Sequence, residues 1–496
     1  MTSIIATPQP SVRRDLLFYF VANVLPMVAS IVGMAWALRL VSPQQVGIFS
    51  LVAASASLAT TSLFHPLCQW VLRYASPFVS PESRAPYWRT LWRVSGGASL
   101  LLLFVALAVA LLRPALAPAA AATLLLSSTL ATQSVFTTLL QGATHSRQYT
   151  TALAASSLLR WLSTIVLCYL WRDPSFVWWA LVLGQFLGQL LATLLALRDL
   201  SGSLTLNPFS APQARVESSA WTYGAPFLVW AVSMQLLNVA DRYILQGFFG
   251  AQQVGTYSAL YNLSNAAVMM LTNPILLAFT PHLFRRSADR EHLSANPEAL
   301  RLAGDSLQLL LLISAPLLAL SALLHREIAV LVLGVRYAGA SAIFPVLVAG
   351  ILLWQFSQIL QKGFEIAADT RALGLLIVSA VAVNLVLNFL LVPAHGILGA
   401  AWATVGAYAW YLAALFLRVS QYGRPPLAWR SLLKIACATL LSSGLLAAFI
   451  FYSPGRLLRL AAAAFSLLVY ALCLLLLKER LVQAQFRELQ RALGAK

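Results

Sequence analysis

Apolar runs long enough to cross a bilayer, about 20 residues each, recur along nearly the whole chain, with short polar stretches between them. The pattern predicts fourteen spans, near 15–40, 46–72, 92–112, 119–141, 150–171, 176–197, 219–247, 253–279, 304–324, 341–362, 372–392, 397–417, 431–452 and 457–477. The first run, Leu16 to Leu40, is too long for a signal-peptide core and reads as a spanning helix. From Lys478 to Lys496 the pattern changes. Val482, Phe486, Leu489 and Leu493 recur at helical spacing, with Arg480, Arg487 and Arg491 off that stripe, as in a helix lying on the inner leaflet. Pro281 to Ser306 is polar and reads as a cytoplasmic connection between the eighth and ninth spans.

The chain also repeats itself. SPQQVGIFSLVAASASL from Ser42 is echoed by GAQQVGTYSALYNLSNA from Gly250, an offset of 208 residues. A weaker echo pairs GATHSRQY from Gly142 with IAADTRAL from Ile366. Six spans separate the copies, so the halves share one orientation: a parallel repeat, with substrate expected between them. The expected architecture is an all-α membrane protein of about fourteen transmembrane helices. Residues 1–200 and 201–425 form two six-helix lobes, 426–477 two further spans, and 478–496 an amphipathic cytoplasmic tail.

Composition supports this. The chain of 496 residues is 60% hydrophobic and only 10% charged, too few charges for the hydrated shell of a soluble protein of this size. The net charge of +18 could suggest nucleic acid, but its distribution follows topology. With the N-terminus inside, twenty-four of the 33 basic residues fall on cytoplasmic segments and seven outside, while Arg160 and Arg242 lie within spans. Both termini are then cytoplasmic and the expected location is a bacterial inner membrane. The four cysteines sit in apolar runs without metal-like spacing and read as packing residues. No Walker loop, dinucleotide fingerprint, zinc-protease helix or nucleophile elbow is present, so no catalytic residue, metal or cofactor is expected and any driving force is an ion or substrate gradient.

Polar residues inside spans carry the remaining information, because polar groups facing lipid cost free energy. Tyr19, Asn23, Pro26, Ser30 and Gly33 share a face of the first span; Ser50, Ser57, Thr61 and His65 one of the second, where Pro66 makes a kink the default role of that site. Gln235, Asn238 and Arg242, with Asp241 beside them, mark the seventh; Ser258, Asn262, Asn265 and Thr272 the eighth. Gln355, Gln358, Lys362 and Glu365 align on the tenth, Asn384 and Asn388 on the eleventh. Singly, each reads as interhelical bonding; the first and second spans of both halves together read as a shared hydrophilic cavity. Arg160 is the sharpest case. A charge at mid-bilayer costs about 3 kcal/mol, and its own span offers no acid. It is either half of an ion pair with another helix or a group that binds an anion in a cavity. Asp241 is either a coupling acid or half of a gating or packing salt bridge, with Arg39 or Arg336 as possible partners.

At DRYILQGFFGAQQVGTYSALYNLSNAA, from Asp241, the chain resembles the polysaccharide-transporter flippases of the multidrug/oligosaccharidyl-lipid/polysaccharide exporter superfamily. Asp241, Arg242, Gly250, Val254, Gly255 and Tyr257 match that family's Asp-Arg pair and following turn. NLVLNFLLVPAHGILGAAWATVGAY, from Asn384, is similar to its passage between the eleventh and twelfth helices, through Asn384, Asn388, Pro393, Gly396, Gly399 and Ala400. The resemblance implies a flippase that turns an undecaprenyl-diphosphate-linked oligosaccharide from the cytoplasmic to the periplasmic leaflet by alternating access. Polysaccharide polymerase and glycosyltransferases would be its neighbours. The expected substrate contacts are Arg160, Asn23, Asn238, Asn262, Asn265, Gln355 and Asn384, with Asp241 and Arg242 at a gate or coupling site; Arg160 lies outside the family's pattern. A multidrug antiporter of the same superfamily and a non-transporting scaffold of a polysaccharide synthase complex are the alternatives.

Overall fold

The computed structural model describes residues 10–75, 78, 84–143, 145–171, 177–201, 216, 218, 226–287, 297–367, 369–421, 424–426, 428–452, 455–479 and 483; side chains are described from Leu25 onward except at 146, 226, 227, 277, 278, 281, 282, 284–287, 370, 420, 456, 457 and 460. The side chains of Tyr19 and Asn23 and nearly all of the expected amphipathic tail lie outside them. No strand occurs among the described residues.

Thirteen long helices follow one another: α1 (Pro10–Leu40), α2 (Pro43–Arg73), α3 (Arg84–Leu112), α4 (Ala117–Gly142), α5 (Ser146–Leu170), α6 (Trp178–Leu200), α7 (Pro226–Phe249), α8 (Ala251–Ser287), α9 (Pro297–Val332), α10 (Ile343–Ile366), α11 (Thr370–Arg418), α12 (Trp429–Tyr452) and α13 (Arg456–Leu476). α11 is two helices joined without a loop. Gly396 sits between them at φ 56°, ψ −131°, a conformation that favours glycine, and Pro393 removes a helix donor just before it. With α11 counted as two arms, the fourteen expected spans are present.

Among the described residues, nine of these helices are long and apolar enough to cross a membrane. In α1 and α13 the apolar stretches Leu25–Leu40 and Ala461–Leu476 are shorter. α7 and α8 have the length, but Gln235, Asn238, Asp241 and Arg242 in one, and Asn262, Asn265 and Thr272 in the other, dilute their apolar character. Polar flanks do not end a helix as they end a hydrophobic run. α8 therefore continues to Ser287 and α9 begins at Pro297, so much of the expected connection from Pro281 to Ser306 is helical. Residues Leu100 to Leu112 of α3 expose large apolar side chains around much of the helix, as a lipid-facing surface does. The chain is a multi-pass membrane protein.

Two compact units divide the chain, Met1–Ala259 and Leu260–Lys496, the division falling within α8. In the first, α5 and α6 approach closely because their contact is lined by glycine: a Cβ on Gly188 would lie 2.7 Å from the Arg160 Cβ, and one on Gly184 would overlap the Thr164 hydroxyl. An aromatic cluster at Trp70, Phe78, Tyr87 and Trp88 fills the junction of α2 and α3; the Trp70 and Tyr87 rings stack at 5.6 Å. In the second unit Trp354 on α10 packs against Tyr408 and Tyr411 of α11, both with centroids at 5.4 Å. α12 and α13 are fastened to α9. Arg459 pairs with Glu327 at 2.6 Å, the Tyr470 hydroxyl donates to the Leu312 carbonyl at 2.8 Å, and Glu479 accepts from Gln308 at 2.6 Å and Ser431 at 3.0 Å.

Candidate functional site

The first unit holds a buried guanidinium whose partners among the described residues are neutral. Arg160 lies on α5, facing α1 and α6. Its Nη2 donates to Ser30 Oγ on α1 at 2.7 Å and its Nη1 to Gln185 Oε1 on α6 at 3.3 Å. The cation also lies over the Trp161 ring, 5.0 Å from the centroid. The indole of Trp161 donates to the same Ser30 oxygen at 3.4 Å, and its ring covers Gly33, where any Cβ would collide with it. Nε is buried and unpartnered among the described residues. No carboxylate among them pairs with Arg160. Asp15, on the same helix as Ser30, is fifteen residues away, about 22 Å along the axis. Nearby, Thr129 on α4 donates to Gln189 on α6 at 2.5 Å, adding amide and hydroxyl groups to the unit's interior.

A second polar group joins α2, α7 and α8. Gln235 Nε2 donates to Ser57 Oγ at 2.8 Å, and the hydroxyls of Ser55 and Tyr243 meet at 2.7 Å. One turn from Gln235, Asn238 turns its amide back to the Met234 carbonyl at 2.9 Å. Asp241 is 2% exposed. One carboxylate oxygen accepts the Tyr257 hydroxyl of α8, and the other accepts the Arg242 backbone N–H at 2.8 Å. Asp241 and Tyr257 thus clasp α7 to α8 across the turn at Gly250, whose φ of 77° suits glycine. Arg242 is half-buried beside them.

In the second unit, Asn262 is exposed and Asn265 half-buried on α8. Gln355 on α10 donates to Thr272 on α8 at 2.5 Å. Asn384 and Asn388 lie one turn apart on α11, Asn388 Nδ2 donating to the Asn384 side chain at 3.2 Å and to its carbonyl at 2.9 Å. The amide nitrogen of Asn384, the amide oxygen of Asn388 and Nε2 of Gln358 are buried and unpartnered among the described residues. Buried orphans of this kind are groups that a polyol can satisfy. The sequence marks Arg160, Ser30 and, through the family turn, Tyr257, but not Gln185, Trp161 or the pairing of Tyr257 with Asp241. Tyr257 stands inside the Gly-x-x-x-Val-Gly-x-Tyr turn, two residues after Gly255, which is the one signal that could have paired it with Asp241.

A family model described as "Polysaccharide biosynthesis protein" matches residues 12–286, more than half of the chain. The chain belongs to this family. The match includes α1 to α8, and therefore both the Arg160 and Asp241 groups. No curated protein matches the chain in sequence. Among solved structures, the lipid II flippase MurJ in an inward closed conformation superposes with a TM-score of 0.71 at 13% identity, covering 93% of this chain and 98% of that one. An inward-facing multidrug resistance MATE family transporter of the MOP superfamily gives a TM-score of 0.57 at 15% identity, covering 82% and 95%. An outward-facing MATE structure gives 0.55 at 15% identity, covering 83% and 96%. This member of the polysaccharide biosynthesis family therefore has the fold of MurJ over 93% of its length and shares the MATE fold over 82–83% of it.

Proposed function

We propose that the chain is a flippase that carries an undecaprenyl-diphosphate-linked oligosaccharide from the cytoplasmic to the periplasmic leaflet of a bacterial inner membrane. Arg160 carries this reading. A guanidinium held by a serine, a glutamine and an indole has no carboxylate partner among the described residues. Such a site suits a ligand that brings negative charge, and the planar guanidinium matches phosphoryl oxygens. Membership of a polysaccharide biosynthesis family and the fold shared with a lipid II flippase agree with a lipid-linked saccharide as that ligand. Asn238, Asn262, Asn265, Gln355 and Asn384, with Asn23, supply the amide groups that sugars require. The protein performs no covalent chemistry in this reading; it moves the lipid by alternating access.

An antiporter of cationic drugs would need an available acid in the same interior. Among the described residues the buried acid of the first unit, Asp241, is engaged by a phenol and a backbone amide instead. The test is flipping of a fluorescent undecaprenyl-diphosphate saccharide in proteoliposomes. Arg160→Ala should lower the rate about tenfold or more, and Arg160→Lys should retain part of it, since lysine keeps the charge without the bidentate fork. A wild-type rate from well-folded Arg160→Ala protein would remove the anion site.

A further inference from the structure

Helices α2 and α7 share a long seam inside the first unit. At the start of α2 the seam is closed by glycine: Gly47 lies against the Ala251 carbonyl, and Gly255 of α8 against that of Pro43. Along the next turns the polar groups are matched. Ser55 meets Tyr243, and Gln235 donates to Ser57. Further on, the His65 and Trp230 rings face each other, 6.4 Å between centroids. Residue numbers rise on α2 as they fall on α7, so the two helices run antiparallel. Ser57, Thr61, His65 and Gln69 recur every four residues, which carries one polar side of α2 to this far end.

Here the matching stops. Gln69 Nε2 meets His65 Nε2 at 3.2 Å. The amide nitrogen only donates, so that ring nitrogen accepts and the imidazole proton sits on Nδ1. Three polar functions then have no partner among the described residues: the His65 Nδ1–H, the Gln69 side-chain carbonyl and the indole N–H of Trp230. All three residues are half-buried, and none of the three atoms is shut away from a ligand. Pro66 accounts for a bend in α2, but a bend requires no imidazole, amide or indole. Packing alone would leave the indole N–H paired, as indoles at buried contacts are. Facing hydrocarbon, all three functions would cost free energy. Two N–H donors and a carbonyl acceptor beside an indole face suit a neutral polyol with an apolar side. A pyranose ring is such a group: its C–H face covers the indole and its hydroxyls meet the three polar atoms. The side chains carry no charge in this arrangement, so they select for sugar rather than for diphosphate.

We propose that His65, Gln69 and Trp230 form a saccharide subsite that sets which sugar chain the protein accepts. It is separate from Arg160, whose partners lie on α1 and α6. This inference rests on the flippase reading, and two lipids distinguish the two. Full-length protein in nanodiscs is offered the lipid-linked saccharide that accumulates in cells lacking the protein. It is also offered undecaprenyl diphosphate, which has the anion and the tail but no sugar. Native mass spectrometry counts each bound lipid. Wild type should bind the saccharide lipid about tenfold more tightly or better. Trp230→Ala and Gln69→Leu should each lower that preference by about fivefold or more, with undecaprenyl diphosphate held within about twofold of wild type. Trp230→Phe keeps an aromatic face without the N–H and should fall between. Arg160→Ala should weaken both lipids alike and leave the preference intact.

Gln69→Leu nearly conserves volume, so it decides the matter should Trp230→Ala fail to fold. A wild-type preference in folded Gln69→Leu and Trp230→Phe proteins would overturn the subsite and leave the flippase reading standing. Equal weakening of both lipids by these variants would mark a packing role and overturn it too. If they lose the preference while Arg160→Ala binds both lipids as wild type does, the anion site falls and the saccharide subsite stands. A wild type that binds both lipids equally would overturn the subsite and the substrate reading together.

Discussion

Replacing Tyr257 by Phe removes one hydroxyl and tests what Asp241 does. The phenol is the side-chain donor to a carboxylate only 2% exposed, and the ring itself is fully buried. Phe keeps the packing and leaves one carboxylate oxygen without that donor. A hydrogen bond to a charged group contributes about 1.5–3 kcal/mol, and a buried orphaned acceptor adds its own desolvation cost. If the pair clasps the α7–α8 turn, this free energy governs local opening of the hairpin. Amide hydrogen exchange over the first turns of α8 should then rise by about tenfold to a hundredfold in Tyr257→Phe, while α12 exchanges as before. Asp241→Asn should have a smaller effect, about 1 kcal/mol: its amide oxygen still accepts the Arg242 N–H and its NH2 can donate to a rotated Tyr257 hydroxyl. The double variant should open less than the sum of the two, because both changes remove the same bond. Exchange in Tyr257→Phe equal to wild type would mean that the bond does not hold the hairpin.

Gradient-driven flipping discriminates the two roles of Asp241: as a clasp it should leave proton or sodium stimulation intact in Asp241→Asn proteoliposomes, whereas as a coupling acid it should lose it. Cysteines at Gln44 and Gln252 should react with impermeant thiol reagents added to intact spheroplasts; labelling confined to the cytoplasmic side would invert the proposed orientation. Gln308→Leu withdraws a 2.6 Å bond from the buried Glu479 carboxylate and should destabilise the docking of α13 by about 2 kcal/mol, read as faster proteolysis after Leu476. Gln308→Glu should be worse, placing two carboxylates together, and a variant as resistant as wild type would show that Glu479 finds its support elsewhere.

The helices were legible because a bilayer demands long apolar runs and their number survives errors at the ends. Their limits were not. Hydropathy marks where lipid ends, whereas a helix ends where its backbone donors and acceptors find other partners. α1 accordingly starts at Pro10, well before the apolar stretch, and α8 outlasts its own by eight residues past 279. Arg160 was legible because a charge in an apolar run has few explanations, and Ser30 because it shares a face with other polar groups of α1. Gln185 was not: it lies on α6, separated from Arg160 by twenty-five residues, and nothing in one sequence says which helices touch. Gly184 and Gly188 bring those helices together, and their spacing of four is the trace that was available.

The repeat shows more by its differences than by its matches. At the offset of 208, Asp241 corresponds to Gly33 and Tyr257 to Phe49, so the carboxylate–phenol clasp belongs to one copy alone. In the other copy, the position of the carboxylate is a glycine lying under the Trp161 ring, beside the guanidinium of Arg160. Of two positions equivalent at that offset, one braces two helices, and its counterpart is the space into which an indole and its neighbouring cation pack. The glycines at 47 and 255 did not diverge, and the reason is geometric. A self-complementary crossing needs both partners small at once, because a methyl on either one strikes the carbonyl of the other. At 47 and 255 the identity of the two copies therefore follows from the contact between them, whereas Gln45, which accepts the Trp178 N–H, matches Gln253 without meeting it.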